Sequence, residues 1–316
     1  MYKYVLHRAL LAVPVLLLSS LIVFALMRVM PGDALTVLIA ESGNVGEKEL
    51  AKIRRDLRLD LPYHEQYLVW LWQMVSLSPG DSLFTGEPIG LSLWKAVPVT
   101  LELTLLAMVL GLAIAVPIGV LSATRQDTPA DYAGRMVAIS SLSLPDFWLG
   151  TLVITFAAIW FHWIPPIGYT SFWDSPSRNL QQFVLPAAVL GFRLSAATMR
   201  MTRSTVLEVL REDYVRTAWA KGLGGRIVVY KHALKNALIP VVTVVGGQLG
   251  VLLAGAVVVE TIFALPGMGR LTVEAILYRD YPMVQTNVML VAGTIVTLNL
   301  LVDLTYAWLD PRIRYR

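Results

Sequence analysis

Two charged residues, Asp146 and Arg193, lie at the edge of or inside long apolar runs, where a charge needs a partner. Asp146 precedes a run rich in Phe, Leu, Val and Ile, and Arg193 lies inside another such run. A lone charge in an apolar environment is costly, so opposite charges there pair or face water. Asp146 and Arg193 are therefore expected to form an ion pair between neighbouring helices. A structural role for this pair is favoured over contact with a substrate.

Residues typical of enzyme or metal sites do not gather in this sequence. It contains no cysteine, which excludes disulfides and zinc–thiolate sites, and its four histidines are scattered. No lysine is followed by serine or threonine, so the phosphate-binding loop GxxxxGK[ST] is missing. We therefore expect no metal site and no catalytic site. Any ATP that drives this chain must bind to another subunit.

The composition predicts a protein built from membrane-spanning helices. Hydrophobic residues make up 56% of the chain and charged residues 15%, whereas a soluble domain carries about 25% charged residues. Several apolar runs exceed the length of about 18 residues that indicates a span. The predicted fold class is all-α and polytopic, with six transmembrane helices. The net charge of +4 comes from loops between spans, so it indicates topology and not nucleic-acid binding.

The charges between the six predicted spans give their orientation. If the N-terminus is inside, the inner segments carry fifteen Lys and Arg, and the two short outer loops carry three. The long loop after the first span is left out, because long segments translocate largely regardless of charge. Both termini are therefore expected in the cytoplasm. The spans cover residues 9–30, 98–123, 136–161 (interrupted by Pro145), 183–201, 238–262 and 286–309.

These spans set the depth of four charged side chains. At a rise of about 1.5 Å per residue, Asp146 and Arg193 each lie about 15 Å deep, near the middle of the apolar layer. Glu102 and Glu260 lie near the outer ends of spans two and five. Both are candidates for lining an outer cavity, and solvation at the membrane interface is the alternative.

A polar, basic segment separates spans four and five between residues 204 and 240. It carries six Lys and Arg against three acidic residues. Apolar residues recur at helical spacing up to Ala218, and Gly222 follows where a helix would end. A second helical pattern starts near Ile227. The charge bias puts this helix–glycine–helix element on the cytoplasmic side.

This element resembles the cytoplasmic coupling loop of ABC importer permeases, which reads roughly E-A-A, three residues, a glycine and a spacer to Leu-Pro. Here the pattern reads Arg216-Thr217-Ala218, three residues, Gly222, then Ile239-Pro240. The arginine and the longer spacer are similar to the peptide and nickel branch of the family. Stretches along nearly the whole chain resemble its B-type subunit, among them Met30-Pro31-Gly32-Asp33 and Pro311-Arg312-Ile313-Arg314.

The resemblance implies a type I ABC importer permease fold in the cytoplasmic (inner) membrane. A second, homologous permease would pair with this chain, and an extracytoplasmic binding protein would deliver substrate. Two cytoplasmic ATPases would bind ATP and magnesium and dock on the coupling loops. This chain itself would bind membrane lipid but no cofactor. The residues expected to meet the ATPases are Asp213, Tyr214, Arg216, Thr217, Ala218, Lys221 and Gly222.

The chain is expected to divide into four parts. Residues 1–30 form the first transmembrane helix, and residues 31–97 form an extracytoplasmic helical insertion lying on the bilayer. The transmembrane core covers residues 98–309 and contains the coupling loop 204–240. Residues 310–316 form a cytoplasmic tail.

The sequence does not identify the substrate. The resemblance implies import of di- or oligopeptides, but nickel chelates, glutathione and some oligosaccharides use similar permeases. An ion-coupled secondary transporter is the alternative from a different class. It is disfavoured because no internal repeat is visible and because the cytoplasmic helix–glycine–helix element would have no obvious role there.

Overall fold

The computed structural model describes the backbone of residues 2–29 and 60–309 and most of their side chains. Much of the predicted insertion and the whole predicted tail lie outside these residues. The helices are α1 (Tyr2–Val29), α2 (Tyr63–Val75), α3 (Ile89–Thr124), α4 (Pro129–Ser143), α5 (Asp146–Phe161), α6 (Pro176–Val209), α7 (Asp213–Ala220), α8 (Gly225–Ile227), α9 (Leu234–Ile262), α10 (Met268–Leu277) and α11 (Tyr281–Leu309). A π-helical turn over Val228–Ala233 joins α8 to α9.

The described helices agree with a multi-pass membrane protein. Five are long and apolar enough to cross a membrane, and the count is six if α4 and α5 are one bent span. The axes of α4 and α5 differ by 103°. Leu144, between them, is extended with φ −91° and ψ 123°, because the ring of Pro145 disfavours helical backbone at the preceding residue. The predicted interruption of span three is therefore a sharp change of direction.

Helix α3 begins at Ile89, well before the predicted start of span two at residue 98. Pro98 lies inside this helix and does not open it. A proline is tolerated inside a membrane helix when neighbouring groups satisfy the backbone that it leaves unpaired. The final stretch of the predicted insertion is thus the first part of a long helix.

The chain divides into two compact units, and the first contains residues 1–98 and 266–297. Within it, the Phe24 ring of α1 lies 5.4 Å from the Tyr67 ring and 6.1 Å from the Trp70 ring of α2, measured between centroids. Asp280 caps α11 by accepting the Met283 backbone N–H at 3.2 Å. It also accepts the Ser82 hydroxyl at 2.5 Å. An apolar cluster completes this unit and includes Met27, Ile89, Leu93, Ala275, Tyr281, Met283 and Val284.

The second unit contains residues 99–265 and 298–316, and α6 is its central helix. Helices α4, α5 and α9 pack on α6, and α3 approaches it closely at glycines of both helices. A Cβ atom at Gly191 would lie 2.6 Å from the Ala107 carbonyl oxygen, and one at Gly111 would lie 2.8 Å from the Gly191 carbonyl oxygen. No side chain fits there, so the two backbones are in direct contact. The apolar core around them includes Leu103, Phe183, Leu190, Leu194, Ala256 and Val259.

Candidate functional site

Helix α7, with the residues around it, is the candidate coupling site, and it has two distinct faces. Val215 and Ala218 are buried and pack with Val228, which is fully buried. On the outer face, Tyr214 is 42% and Trp219 48% exposed. The spacing of three residues between Val215 and Ala218 puts them on the same side of the helix. Helix α7 is therefore held to the rest of the chain by the face with Val215 and Ala218, and its opposite face is exposed.

A glycine ends α7, as the sequence predicts. Gly222 has φ +78°, in the left-handed region that favours glycine. Its N–H donates to the Trp219 carbonyl at 2.9 Å, and the Leu223 N–H donates to the Ala218 carbonyl at 3.4 Å. These two bonds form a Schellman motif, and Leu223 adds the accompanying apolar contact. The direction in which the chain leaves α7 is thus set by Gly222.

Most residues predicted to meet an ATPase lie on the surface. Asp213, Arg216, Thr217, Lys221 and Gly222 are all exposed. Arg216 and Asp213 form an ion pair of 3.3 Å with side chains 75% and 96% exposed. Such a solvated pair contributes little to stability. Both charges are accessible to a partner surface.

Ala218 differs from the other predicted residues because its side chain is not on the surface, while its predicted contact with an ATPase stays a prediction. Its side chain is only 6% exposed and packs on Val215 and Val228 of the same chain. The apolar pattern that ends at Ala218 includes Tyr214, but Tyr214 lies on the exposed outer face, and Val215 is buried beside Ala218 instead. The buried face holds this short helix to the rest of the chain.

Helix α7 is connected to long helices on both sides. Its buried residues pack with Val209 and Leu210 at the end of α6. The Tyr214 hydroxyl accepts a hydrogen bond of 2.8 Å from the Asn236 amide, in the first turn of α9. A displacement of α7 would therefore move the ends of both α6 and α9.

Asp131, a buried carboxylate near the coupling site, was not identified by the sequence analysis. Asp131 of α4 is 0% exposed and accepts two bonds from Arg203 of α6, at 2.8 Å from Nε and 2.9 Å from Nη2. Arg135 donates to it from Nη2 at 2.6 Å, and the Ser122 hydroxyl of α3 also donates. The Asp131 carboxylate thus accepts hydrogen bonds from side chains of α3, α4 and α6. The spacing of four residues between Asp131 and Arg135 is a visible signal, but nothing in the sequence indicates Arg203.

The structure brings Asp146 and Arg193 together. Arg193 Nη1 lies 2.5 Å from Asp146 Oδ2, and the two side chains are 9% exposed for Asp146 and 51% for Arg193. Asp146 stands in the first turn of α5, where the helix dipole favours a negative charge. Asp146 lies at the bend between α4 and α5, whereas Arg193 lies inside the continuous helix α6. The predicted membrane depth of the pair stays a prediction.

Removing one partner of this pair is expected to destabilise the protein. Asp146→Ala and Arg193→Ala should each lower the free energy of unfolding, by about 3 kcal/mol for a fully buried pair and less here because Arg193 is half exposed. Unfolding in mixed micelles measures both single variants and the double variant. Single changes whose effects simply add in the double variant would show that the pair contributes nothing.

The two other candidate carboxylates bind within the chain. Glu260 is 0% exposed and accepts the Thr100 hydroxyl at 2.6 Å, so the prediction that it lines a cavity is wrong. Glu102 is half-buried and accepts the Tyr169 hydroxyl at 3.0 Å and the Asn179 amide at 2.6 Å. Burial, together with the Glu102 carboxylate, raises the pKa of Tyr169. Glu102 therefore holds the loop that contains Tyr169, a role that its position at a predicted span end did not indicate.

Comparisons with known proteins agree with this architecture. Residues 115–315 match the family model "Binding-protein-dependent transport system inner membrane component", and residues 1–104 match the model of its N-terminal part. The chain is 38% identical to the dipeptide transport system permease protein DppB of Alkalihalophilus pseudofirmus and to DppB of Escherichia coli (strain K12), with 100% of each chain covered. It is equally identical to a putative peptide transport system permease protein of Brucella abortus (strain 2308), again over the whole of both chains.

Solved structures of similar fold are also transporter subunits. A chain of the MetNI methionine ABC transporter, in an inward-facing conformation, aligns with a TM-score of 0.58 at 19% identity and covers 71% of this chain and 99% of that chain. A chain of an amino acid ABC transporter aligns with a TM-score of 0.51 at 15% identity, covering 70% and 94%. These identities support a shared fold and no more. The family models and the 38% identical full-length relatives show that the chain belongs to the family of binding-protein-dependent transport system inner membrane components, the membrane permeases of ABC importers.

Proposed function

We propose that this chain is the membrane-spanning subunit of an ATP-driven importer of di- or oligopeptides. The full-length relatives named as dipeptide and peptide permeases support this substrate class. The observation that carries the proposal is helix α7. It offers an exposed face to a partner, and its buried face is packed against the end of α6.

The proposed partners follow from this role. A second, homologous permease completes the translocation path, and an extracytoplasmic binding protein delivers the peptide. Two ATPase subunits bind ATP and magnesium and dock on the coupling helices. This chain binds no cofactor and hydrolyses no ATP, in keeping with a sequence that lacks GxxxxGK[ST].

The proposed mechanism is mechanical. When the ATPases close on ATP, they displace α7, and the contacts of α7 with α6 and with Asn236 of α9 carry this displacement into two long helices. Access to the path then alternates between the two faces of the membrane by rigid-body movement of helices. The excess of Lys and Arg in the segments on one side supports an inner-membrane orientation with both termini in the cytoplasm.

Reconstitution tests the proposal. The chain is placed in proteoliposomes with its second permease, ATPases and binding protein, and uptake of a labelled dipeptide is measured. We expect uptake with ATP on the ATPase side and none with a non-hydrolysable analogue. Uptake driven by a proton or sodium gradient without ATPase subunits would contradict the proposal.

A further inference from the structure

A small cavity lies in the second unit, between α4, α5, α6 and α9, and its mainly apolar wall includes three polar side chains. Its volume is 210 Å³. Asp146, Arg193 and Gln248 line it with polar groups, and Ala197 and Val251 are among the apolar residues that complete it. Each of the three polar residues comes from a different helix. The cavity is therefore built by the packing of the unit and is not a feature of one helix surface.

The two charges of the ion pair are unequally covered. The Asp146 side chain is 9% exposed, whereas that of Arg193, midway along α6, is 51% exposed. Arg193 is therefore the charge of this pair that is accessible to the contents of the cavity. A guanidinium at that place is costly against lipid, whereas against water or a polar solute it is solvated.

A second groove in the same unit has no charged residue in its lining. It is formed by α5 and the first half of α6, and its volume is 880 Å³. Its lining is almost entirely apolar and aromatic, with Leu152, Phe156, Trp160, Val184 and Leu185 among its residues. That face suits lipid chains. Helices α5 and α6 therefore have one face suited to lipid and another, at Arg193, suited to water.

We infer that the cavity at Arg193 is a segment of the water-filled translocation path, in which Arg193 meets the carboxylate of the passing substrate. This inference rests on the proposed transport function. A guanidinium binds a carboxylate with two parallel hydrogen bonds. Gln248, with an amide that both donates and accepts, suits the peptide group of the same substrate.

Cysteine accessibility tests whether the cavity holds water. The chain has no cysteine of its own, so each introduced thiol is unique within it. Val251→Cys, in the cavity, is compared with Val184→Cys, in the apolar groove; the two valines are 51% and 43% exposed. In the assembled importer, with a membrane-impermeant methanethiosulfonate on both sides, we expect Val251→Cys and Ala197→Cys to react at least tenfold faster than Val184→Cys. Equal rates would overturn the inference.

The charge of the reagent tests the role of Arg193. At Ala197→Cys, an anionic reagent should react faster than a cationic one. Arg193→Gln should lower this ratio of rates by at least about fivefold, because loss of one positive charge at close range slows the anionic reagent and speeds the cationic one. The ratio cancels any effect of Arg193 on the ionisation of the thiol. Where Arg193→Gln alone does not fold, the double change Asp146→Asn with Arg193→Gln is measured instead. An unchanged ratio would overturn the assignment of Arg193.

These outcomes are separable from those of the proposed function. The thiol rates need only an assembled complex and no transport. If uptake depends on ATP but the cavity cysteines stay unreactive, only this inference fails. If uptake does not depend on ATP, the proposed function fails whatever the thiol rates are, and the inference that rests on it fails too.

Discussion

The Gly222→Val variant is expected to lose at least nine-tenths of its ATP-driven uptake while it still reaches the membrane and assembles with its partners. Gly222 has φ +78°, and a left-handed backbone costs an ordinary L-residue about 1–2 kcal/mol, with β-branched residues worse placed than most. A Cβ atom there meets nothing within 4 Å, so the change acts through the backbone and not by a clash. The Schellman motif opens and α7 loses its fixed direction. Uptake and copurification from the same membranes measure both halves of the prediction.

Gly224 offers a matched control two residues away. It too has open space around a Cβ atom, but its φ of −65° and ψ of 145° suit any residue. Gly224→Val should therefore keep most of its uptake. Gly222→Asn should fall between the two, since asparagine tolerates the left-handed region. Equal losses at Gly222 and Gly224, or normal uptake by Gly222→Val, would remove the special role given to the end of α7.

The second large effect is expected at Asp131. Asp131→Ala leaves Arg203 and Arg135 without the carboxylate on which both converge. Removing one partner from a buried ion pair typically costs about 3–5 kcal/mol. We therefore expect a lower yield of folded protein and a free energy of unfolding reduced by about 3 kcal/mol. Thermal unfolding of the purified chain in detergent measures this change.

Asp127 is the control for Asp131. It also pairs with Arg135, at 3.4 Å, but its side chain is 64% exposed. Asp127→Asn removes the charge and keeps a residue type that tolerates the left-handed backbone at this position, where φ is +58°. It should change the free energy of unfolding by less than about 1 kcal/mol, as is usual for an exposed pair. If Asp131→Ala and Asp127→Asn unfolded alike, Asp131 would not be the residue that joins α3, α4 and α6.

A feature of the fold could be predicted from the sequence where residues adjacent in the chain determine it by themselves. Apolar runs longer than a membrane is thick identify spans by themselves, and Pro145 marks the break in span three by its own chemistry. The bend of 103° at that break depends on packing, which a linear pattern does not contain. The early start of α3 at Ile89 was missed because the apolar run was assumed to begin at Pro98.

The candidate site shows the same limit. Gly222 was identified from the sequence because a helix end with positive φ selects glycine. The apolar pattern did not single out Val215, which is buried beside Ala218, because a helix of only eight residues has too few turns for spacing alone to define its buried face. The bond from Arg203 to Asp131 joins residues 72 positions apart. Only the folded chain shows such a contact.

Site-specific cross-linking from α7 shows whether this helix transmits the work of a partner ATPase. Thr217 is exposed on the outer face of α7, and Thr217→Cys is the single thiol in this chain because the sequence contains no other. A short photoactivatable cross-linker is attached to it in the assembled importer. We expect a covalent adduct with an ATPase subunit whose yield changes between the nucleotide-free and ATP-bound states. Adducts with lipid or detergent alone, in both states, would contradict it.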